Sequence, residues 1–503
     1  MIQQPLLFNA TERKDYDEER RVFADSWFLT EDKDFTKQKG ISYGSLLRLP
    51  IFLSPELTNT SIPLGVLNIV MRTIYESIKL LFQIRLQNTT SHQLEKGSRF
   101  VFLIAKHTTH GAIAKTLDPI IQSLTKKGES VQIWTFDETQ LKTLKAQYPK
   151  LLCQNLGKAS LSIHTTMKLM FMFAHAMCKQ LRTPPNSNRL NALRQLIYHA
   201  PKLASIHSAL DDRLDKDVIV ISATEMHPYE RLVFSVAQQK NVPTVLIQHG
   251  ITDNTIKNQM VNTPSIASHM CVWGEMAKDY FLNHGVEEQR IFVTGSPAID
   301  PSVHTQKQFV RTQTLTKFRL PDKKFIVFSG QNFDRAKNTE LCTMTLKAFK
   351  DLLGTGDHRK LLITPHPAKS LYTTEDFYKE LVLDQKLKLG QDVFIRSAKA
   401  EIEELVELSD VLITSSSTLH IEALLRKKLL ILLNIDQVPD MEAVINSVAL
   451  PAHTQDELLH ALISTAQPNT QTKLHSGRTD FLREYTSFPQ HATANITRIL
   501  LQI

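Results

Sequence analysis

The chain has 503 residues, of which 42% are hydrophobic and 22% charged. That is the composition of a soluble globular protein, at a length beyond one ordinary core, so two or three domains are expected and wholesale disorder is excluded. Lys and Arg number 59 against 51 Asp and Glu, a formal charge of +8; this mild excess suits an anionic ligand or an anionic membrane surface, and without an aromatic-studded basic stripe it is too diffuse for nucleic acid.

The N-terminal stretch "MIQQPLLFNATERKDYDEERR" lacks the apolar core of a signal peptide and soon becomes densely charged. Residues 1–97 read as a mixed, mostly helical extension. The nearest candidate for a membrane span, Ile62 to Leu86, is interrupted by Arg72, Glu76 and Lys79, and no uninterrupted apolar run is long enough. This tract and the Met-rich "MKLMFMFAHAMC" from Met167 read as buried helix, with attachment to a membrane surface as the alternative.

From Arg99 the texture changes. "RFVFLIAKHTTHGAIAKTLDPIIQSLTKKGESVQIWTFDE" is a buried strand, a polar loop, a helix, a Lys-Gly turn and a second strand. Such a βαβ unit implies a parallel sheet. Helical patterns then run from about Glu138 to Arg213, broken by "TPPNSN". Asp211 and Asp212, in a charged helical stretch, read as a solvated face rather than metal ligands. Strands resume with "DVIVISATE" (217–225), "VPTVLIQHG" (242–250), "HMCVWGE" (269–275) and "RIFVTGSP" (290–297), the last ending in a Gly-Ser-Pro elbow between domains. After a polar connection (302–318) the alternation restarts with "KKFIVFSGQ" (323–331), "RKLLITPHP" (359–367), "DVFIRS" (392–397), "DVLITSSST" (410–418) and "KLLILLNID" (428–436). The tail from about Gln455 is helical. The class is therefore α/β: two Rossmann-like parallel-sheet domains, 98–308 with a helical insertion near 140–213, and 309–503 with a helical tail. Cys153, Cys178, Cys271 and Cys342 are scattered at spacings that fit neither zinc nor a disulfide framework, which points to a reducing cytoplasm.

Ligands of open α/β sheets bind at the strands' C-terminal ends, so the residues there carry the functional reading. They are Lys106, His107 and His110; Glu225 and His227; Gln248, His249 and Gly250; Ser329 to Gln331; His366 and Pro367; and Ser415 to Thr418. No GxGxxG and no P-loop is present, which removes the main support for redox dinucleotide binding and P-loop phosphoryl transfer. His366 stands between Pro365 and Pro367, held stiffly at a strand tip where it can donate to a phosphate. Ser415, Ser416, Ser417 and Thr418 lead into a helix; one hydroxyl suffices for the cap, and the free amides suit an anion such as a diphosphate. Glu422 on that helix is placed to meet a ribose diol, and Ser329 and Gln331 supply a second loop of phosphate donors. His249 ends an apolar strand, with Gly250 allowing a tight turn. There is no DxD at a strand end and no metal constellation.

"VPTVLIQHG", "VWGEMAKDYFLNHGVEEQRIFVTGSPAID", "LLITPHP" and "SDVLITSSSTLHIEALL" resemble, in order and spacing, bacterial glycosyltransferases of the GT-B fold. Within that fold they are similar to sialyl- and polysialyltransferases, Kdo transferases and CDP-glycerol glycerophosphotransferases of surface-polysaccharide synthesis. The resemblance covers roughly residues 98–440. It implies a metal-independent inverting transferase that takes a sugar or glycerophosphate from a nucleotide-activated donor, CMP or CDP in preference to UDP, with no other cofactor. The acceptor would be a glycan or lipid-linked, and the enzyme cytoplasmic or at the inner face of the cytoplasmic membrane. His249 would be the general base, with Glu225 as a substitute, and His107, His110, His227 and Gln248 would stand on the acceptor side. His366 and Pro367, and Ser415 and Ser416 (or Ser416 and Ser417), would hold the donor. Two motifs depart from the pattern: the acidic-acidic-Gly of sialyltransferases has no clean match, and "RKKLL" stands where many GT-B enzymes have Gly-Lys-Pro. Two alternatives share the fold. One is a sugar-nucleotide 2-epimerase, which needs several carboxylates around the sugar where few are visible; the other is a non-catalytic scaffold.

Overall fold

The computed structural model describes residues 37–38, 41–42, 98–105, 112–158, 165–171, 187–211, 213–225, 227–250, 252, 265–300, 309–331, 335–366, 374–396, 402–415, 417–435, 442–487 and 491–503. Two short strands, β1 (Lys37–Gln38) and β2 (Ile41–Ser42), pair antiparallel. The remaining strands form two sheets, parallel throughout.

The first sheet contains β3 (Phe100–Leu103), β4 (Val131–Thr135), β5 (Leu152–Asn155), β6 (Ile219–Ser222), β7 (Thr244–Ile247), β8 (His269–Val272) and β9 (Ile291–Val293), in the order β5-β4-β3-β6-β7-β8-β9. Its helices are α1 (Ala112–Lys126), α2 (Glu138–Gln147), α3 (Ser187–Asp211), α4 (Pro228–Gln239) and α5 (Glu275–Asn283). The second sheet contains β10 (Phe325–Ser329), β11 (Lys360–Thr364), β12 (Val393–Ile395), β13 (Ser409–Thr414), β14 (Leu429–Leu433) and β15 (Leu450–Ala452), in the order β12-β11-β10-β13-β14-β15. Its helices are α6 (Arg311–Phe318), α7 (Arg335–Gly354), α8 (Glu375–Asp384), α9 (Ile402–Leu408), α10 (Leu419–Leu425) and α11 (Glu442–Ile445). The tail adds α12 (Gln455–Ser464), α13 (Pro468–Ser476), α14 (Arg478–Thr486) and α15 (Ala492–Gln502).

Runs such as "FVFL", "FIVFS" and "LLILL" are buried at every position. Continuous apolar strands of this kind suit a parallel sheet covered on both faces, where alternation would leave polar side chains under a helix. In the first sheet Val101, Leu103, Trp134 and Val220 pack toward α3 and α4 through Leu203, Ile206 and Phe234. Phe100, Phe102, Ile133 and Ile221 pack on the other face beneath Leu117, Ile121, Ile496 and Leu500.

Two strands escaped the sequence reading. β5 lies inside the stretch read as helical because "LCQN" is only four residues long and is not an apolar run. β15, "LPA", is an edge strand, the one place in a sheet where a proline such as Pro451 is tolerated. The tail also departs from expectation. It leaves the second sheet, and α15 packs on the first, with Ile496 and Leu500 in that core. Asp300 receives it: the buried carboxylate accepts the amides of His491 at 3.3 Å and Thr493 at 3.1 Å.

Each sheet reverses its winding once, between β3 and β6 in the first and between β10 and β13 in the second. The carboxyl ends of strands at such a switch point form the crevice in which open α/β sheets bind ligands.

Candidate functional site between the two sheets

The two switch-point edges face each other. A Cβ built on Gly250, just past β7, would lie 3.9 Å from the Thr418 methyl at the start of α10. The chain bends at Gly250, where the Gln248 side chain holds the Gly250 carbonyl, without the left-handed conformation that only glycine adopts freely.

His249 is half-buried at the tip of β7, and its Nδ1 donates to the carbonyl of Ala223 at the end of β6. A carbonyl can only accept, so Nδ1 carries the hydrogen, and in the neutral imidazole Nε2 holds the lone pair. Gln248 does not project as an acceptor-side contact. Its Oε1 takes the Trp273 amide at 2.8 Å, its carbonyl takes the Trp273 indole N–H at 2.8 Å, and its Nε2 donates to the Gly250 carbonyl at 2.8 Å. It is a brace between the ends of β7 and β8. Glu225, after β6, is 2% exposed, and its Oε2 accepts the Ile266 amide at 3.0 Å. Burial, the largest influence, raises its pKa, partly offset by Arg231 and by Ser265, Ile266 and Ala267. A carboxyl so placed leans toward its protonated form.

His227 is the N-cap of α4, with Pro228 next in the helix. Close to it the structure gathers a group that sequence inspection missed. His199 Nδ1 lies 2.8 Å from the Tyr229 hydroxyl, and the Lys202 ammonium sits 4.5 Å above the Tyr229 ring. Burial, then the charges of Lys202 and His227, push His199 down to about 4. Only the pairing of α3 with α4 in space brings these residues together, and no spacing within either helix announces it. His107 and His110 fall outside the described residues.

On the opposite edge, Gly330 follows β10, and its amide donates to the Thr364 carbonyl at 2.9 Å. A Cβ there would come within 2.2 Å of the Tyr378 hydroxyl and 3.2 Å of the Thr364 carbonyl. Gln331, expected to donate to a phosphate, instead directs its Nε2 to the Ser329 carbonyl at 3.2 Å and the Thr414 hydroxyl at 3.0 Å. It ties the end of β10 to that of β13. Ser415 and Ser417 are half-buried at the end of β13, and Ser417 Oγ accepts the Leu419 amide at 3.3 Å. One serine is thus spent on capping α10, a helix of seven residues. Glu422 on α10 lies 3.6 Å from Arg426, which also pairs with Glu407 at 3.2 Å. His366 is half-buried after β11, behind the buried Pro365. Pro367 and Ser416 lie outside the described residues. Among the described residues no group of three or more His, Cys, Asp or Glu is placed to hold a metal ion.

The sequence profile of the UDP-N-acetylglucosamine 2-epimerase family matches residues 231–488, just over half of the chain. The chain belongs to the UDP-N-acetylglucosamine 2-epimerase family. The match begins inside α4 and takes in His249, His366 and the Ser415–Thr418 stretch. Solved structures share the architecture of this epimerase-family chain. The UDP-GlcNAc 2-epimerase of Neisseria meningitidis, bound to UDP-GlcNAc, is 14% identical over 80% of this chain and 100% of its own, with a TM-score of 0.53. S. aureus MnaA with UDP is 14% identical over 81% and 98%, at 0.51. A glycosyltransferase from Rickettsia africae is 15% identical over 81% and 100%, at 0.50. At these identities the likeness is one of fold. Comparison with curated proteins gives no match.

The GT-B-like fold expected from the sequence stands, while the function inferred from it does not. The family match replaces the transferase reading, and with it the sialyl-, Kdo- and CDP-glycerol transferase resemblance, by the epimerase that had stood as the alternative. The reason is physical: a histidine and a run of hydroxyls at strand ends suit a phosphate whatever then happens to the sugar, so in the sequence His366 and the serine run could not discriminate between the two readings. No helix among the described residues is long and apolar enough to cross a membrane.

Proposed function

We propose that this chain is a sugar-nucleotide 2-epimerase acting on a UDP-sugar held between the two sheet edges. Inverting C2 of a sugar requires its proton to leave one face and return to the other. That C–H bond is not acidic in itself, but the neighbouring C1 carries a nucleoside diphosphate. Loss of the C2 proton to a base, with the C–H pair becoming a C1–C2 double bond and the C1–O pair leaving with the diphosphate, is balanced without any oxidant. Re-addition of diphosphate and proton, the proton from the opposite face, gives the epimer.

Two kinds of group are then needed, and the two edges differ in a way that suits the division. His249 is the base in this reading, because its Nδ1–H is committed to the Ala223 carbonyl and Nε2 holds the lone pair. Glu225, buried and held toward its acid form, is suited to returning a proton. Opposite them, His366, Ser415, Ser416, Ser417 and Thr418 would receive the diphosphate, with Pro367 fixing the loop and Gln331 and Ser329 shaping it. Glu422 is reserved for the ribose, and His107, His110 and His227 for the sugar side. UDP replaces the CMP or CDP donor expected from the sequence, supported by the relatives solved with UDP or UDP-GlcNAc.

The observation that carries the reading is the anchored His249 on the edge that meets Thr418. Its test is incubation of the purified protein with UDP-GlcNAc and separation of the C2 epimers by NMR. A new anomeric signal from the epimer is expected. A protein that binds UDP-GlcNAc and leaves it unchanged would be a nucleotide-sugar binder instead.

A further inference from the structure

We propose that Gln248, Trp273 and Tyr485 are positioning residues that tie the orientation of His249 to the placement of α10 on the opposite edge. The inference rests, for its catalytic meaning, on the epimerase reading above.

Gln248 spends its donor on its own turn and both its acceptors on one tryptophan. The Trp273 amide and indole N–H meet its Oε1 and its carbonyl, each at 2.8 Å, while its Nε2 holds the Gly250 carbonyl at 2.8 Å. His249 follows Gln248, so the peptide unit that enters it is fixed from β8 by the Trp273 indole, while the Gly250 carbonyl, one peptide unit past His249, is held by Gln248 itself. Trp273 is 2% exposed, and a buried carbonyl that loses the indole donor has no water to replace it. Beyond the hydrogen bonds, the Trp273 ring meets Tyr485 at 6.4 Å and 64°. Tyr485 stacks on Phe481 at 5.2 Å and meets His420 edge-on at 6.0 Å.

His420 belongs to α10, which starts beside Thr418, and Thr418 faces Gly250. The contacts thus close a ring: from Gln248 through Trp273, Tyr485 and His420 to Thr418, and across the cleft to the residue that follows His249. The seam is tight, since a Cβ on Gly274 would lie 2.2 Å from the Glu484 carbonyl and 2.6 Å from that of Tyr485. Trp273, Leu419, Ile421, Phe481 and Tyr485 share one buried cluster. A shift of α10 on binding diphosphate is therefore transmitted through packed rings to Gln248 and the peptide unit that precedes His249. Both halves of the reaction are set by one mechanical connection.

The test uses full-length protein labelled with 15N-histidine, with the His249 nitrogens assigned by their loss in His249→Ala. Wild type should show His249 with a protonated Nδ1 and an unprotonated Nε2. Trp273→Phe keeps the ring in the cluster and removes the indole donor; Tyr485→Leu cuts the link to α10 and leaves the Gln248 hydrogen bonds intact. In both, the two nitrogen shifts should converge as the ring samples both tautomers, with UDP affinity within about twofold of wild type and kcat for epimerisation lower by about tenfold, as expected for slight misplacement of a reacting group. Thermal unfolding of each variant identifies one that has failed to fold, in which case the other decides. Unchanged His249 shifts in a folded Trp273→Phe overturn the brace, and unchanged shifts in a folded Tyr485→Leu overturn the link to α10. Both readings need no turnover, so a wild type that does not epimerise would refute the epimerase reading and leave the brace to be judged by the nitrogen shifts.

Discussion

The two cleft edges are built from the same topology and solve different problems. Each uses a glutamine to tie neighbouring strand ends, Gln248 for β7 and β8 and Gln331 for β10 and β13. What these braces support is unlike. The first edge carries titratable groups, two of them held by the backbone, His249 against the Ala223 carbonyl and Glu225 against the Ile266 amide, and beside it His199 meets the Tyr229 hydroxyl. The second is made of hydroxyls, a glycine and a proline-flanked histidine, beside the Glu422–Arg426–Glu407 pairs. In the proposed reaction the first edge would move protons and the second would hold the diphosphate.

That contrast can be broken most forcefully at the histidines. His249→Ala should lower turnover by about two to four orders of magnitude, the usual contribution of a general base, while UDP binding measured by calorimetry stays near wild type. His366→Ala should show the reverse emphasis, with UDP affinity falling first. Equal losses of affinity in both variants would mean that the edges do not divide the work as described.

The seam between the edges comes next. Gly274→Ala places a Cβ against backbone, at 2.2 Å from the Glu484 carbonyl, and backbone yields less readily than a side-chain tip. A loss of about 3 kcal/mol in chemical denaturation is expected, at the upper end for overpacking. A loss no larger than that of an ordinary surface substitution would show that α14 is free to move away from Gly274.

The half-buried His199, on α3 beside the first edge, sharpens the comparison through pH. His199 is held down at about 4 against an ordinary 6.5, so the fold prefers it neutral and the unfolded chain takes up the proton first. Its contribution to stability is therefore complete above about pH 6.5 and is lost as pH falls toward 4, by up to about 3 kcal/mol. His199→Phe should flatten the stability curve across that window. A curve as steep as that of wild type would assign the acid sensitivity to other groups.

The smallest effect concerns the returning tail. Asp300→Ala removes the carboxylate that caps the start of α15, and a loss of about 1 to 2 kcal/mol is expected, in the range of a lost helix cap. Hydrogen exchange should quicken in residues 492–502 while the second sheet is unaffected.

Much of the fold was legible because buried parallel strands are written as continuous apolar runs: "VFLI", "VIVIS", "VLI", "FIVF" and "LLILL" all became strands. β5 and β15 were not, since four residues with a central glutamine and three with a proline carry no such run. The positions of His249 and His366 at strand tips were legible for the same reason, a polar residue ending an apolar stretch. What the side chains do there was not. Gln248 and Gln331 look like ligand contacts in sequence, and only the neighbouring strands reveal them as braces. His199, Tyr229 and Lys202 are brought together by the packing of α3 on α4, and Trp273 meets Tyr485 across more than two hundred residues. Reaction type was the least legible, because a histidine and hydroxyls at strand ends suit a phosphate in either kind of enzyme, and the sequence does not say what happens to the sugar.

The central claim is that the first edge removes and returns a proton at C2 of a UDP-sugar. Its most direct measurement is incubation with UDP-GlcNAc in D2O, followed by mass spectrometry and proton NMR of the recovered nucleotide sugars. Wild type should place one deuterium at C2 of both epimers, and His249→Ala should leave that position unlabelled. Saturating binding of UDP-GlcNAc with no deuterium at C2 would contradict the account.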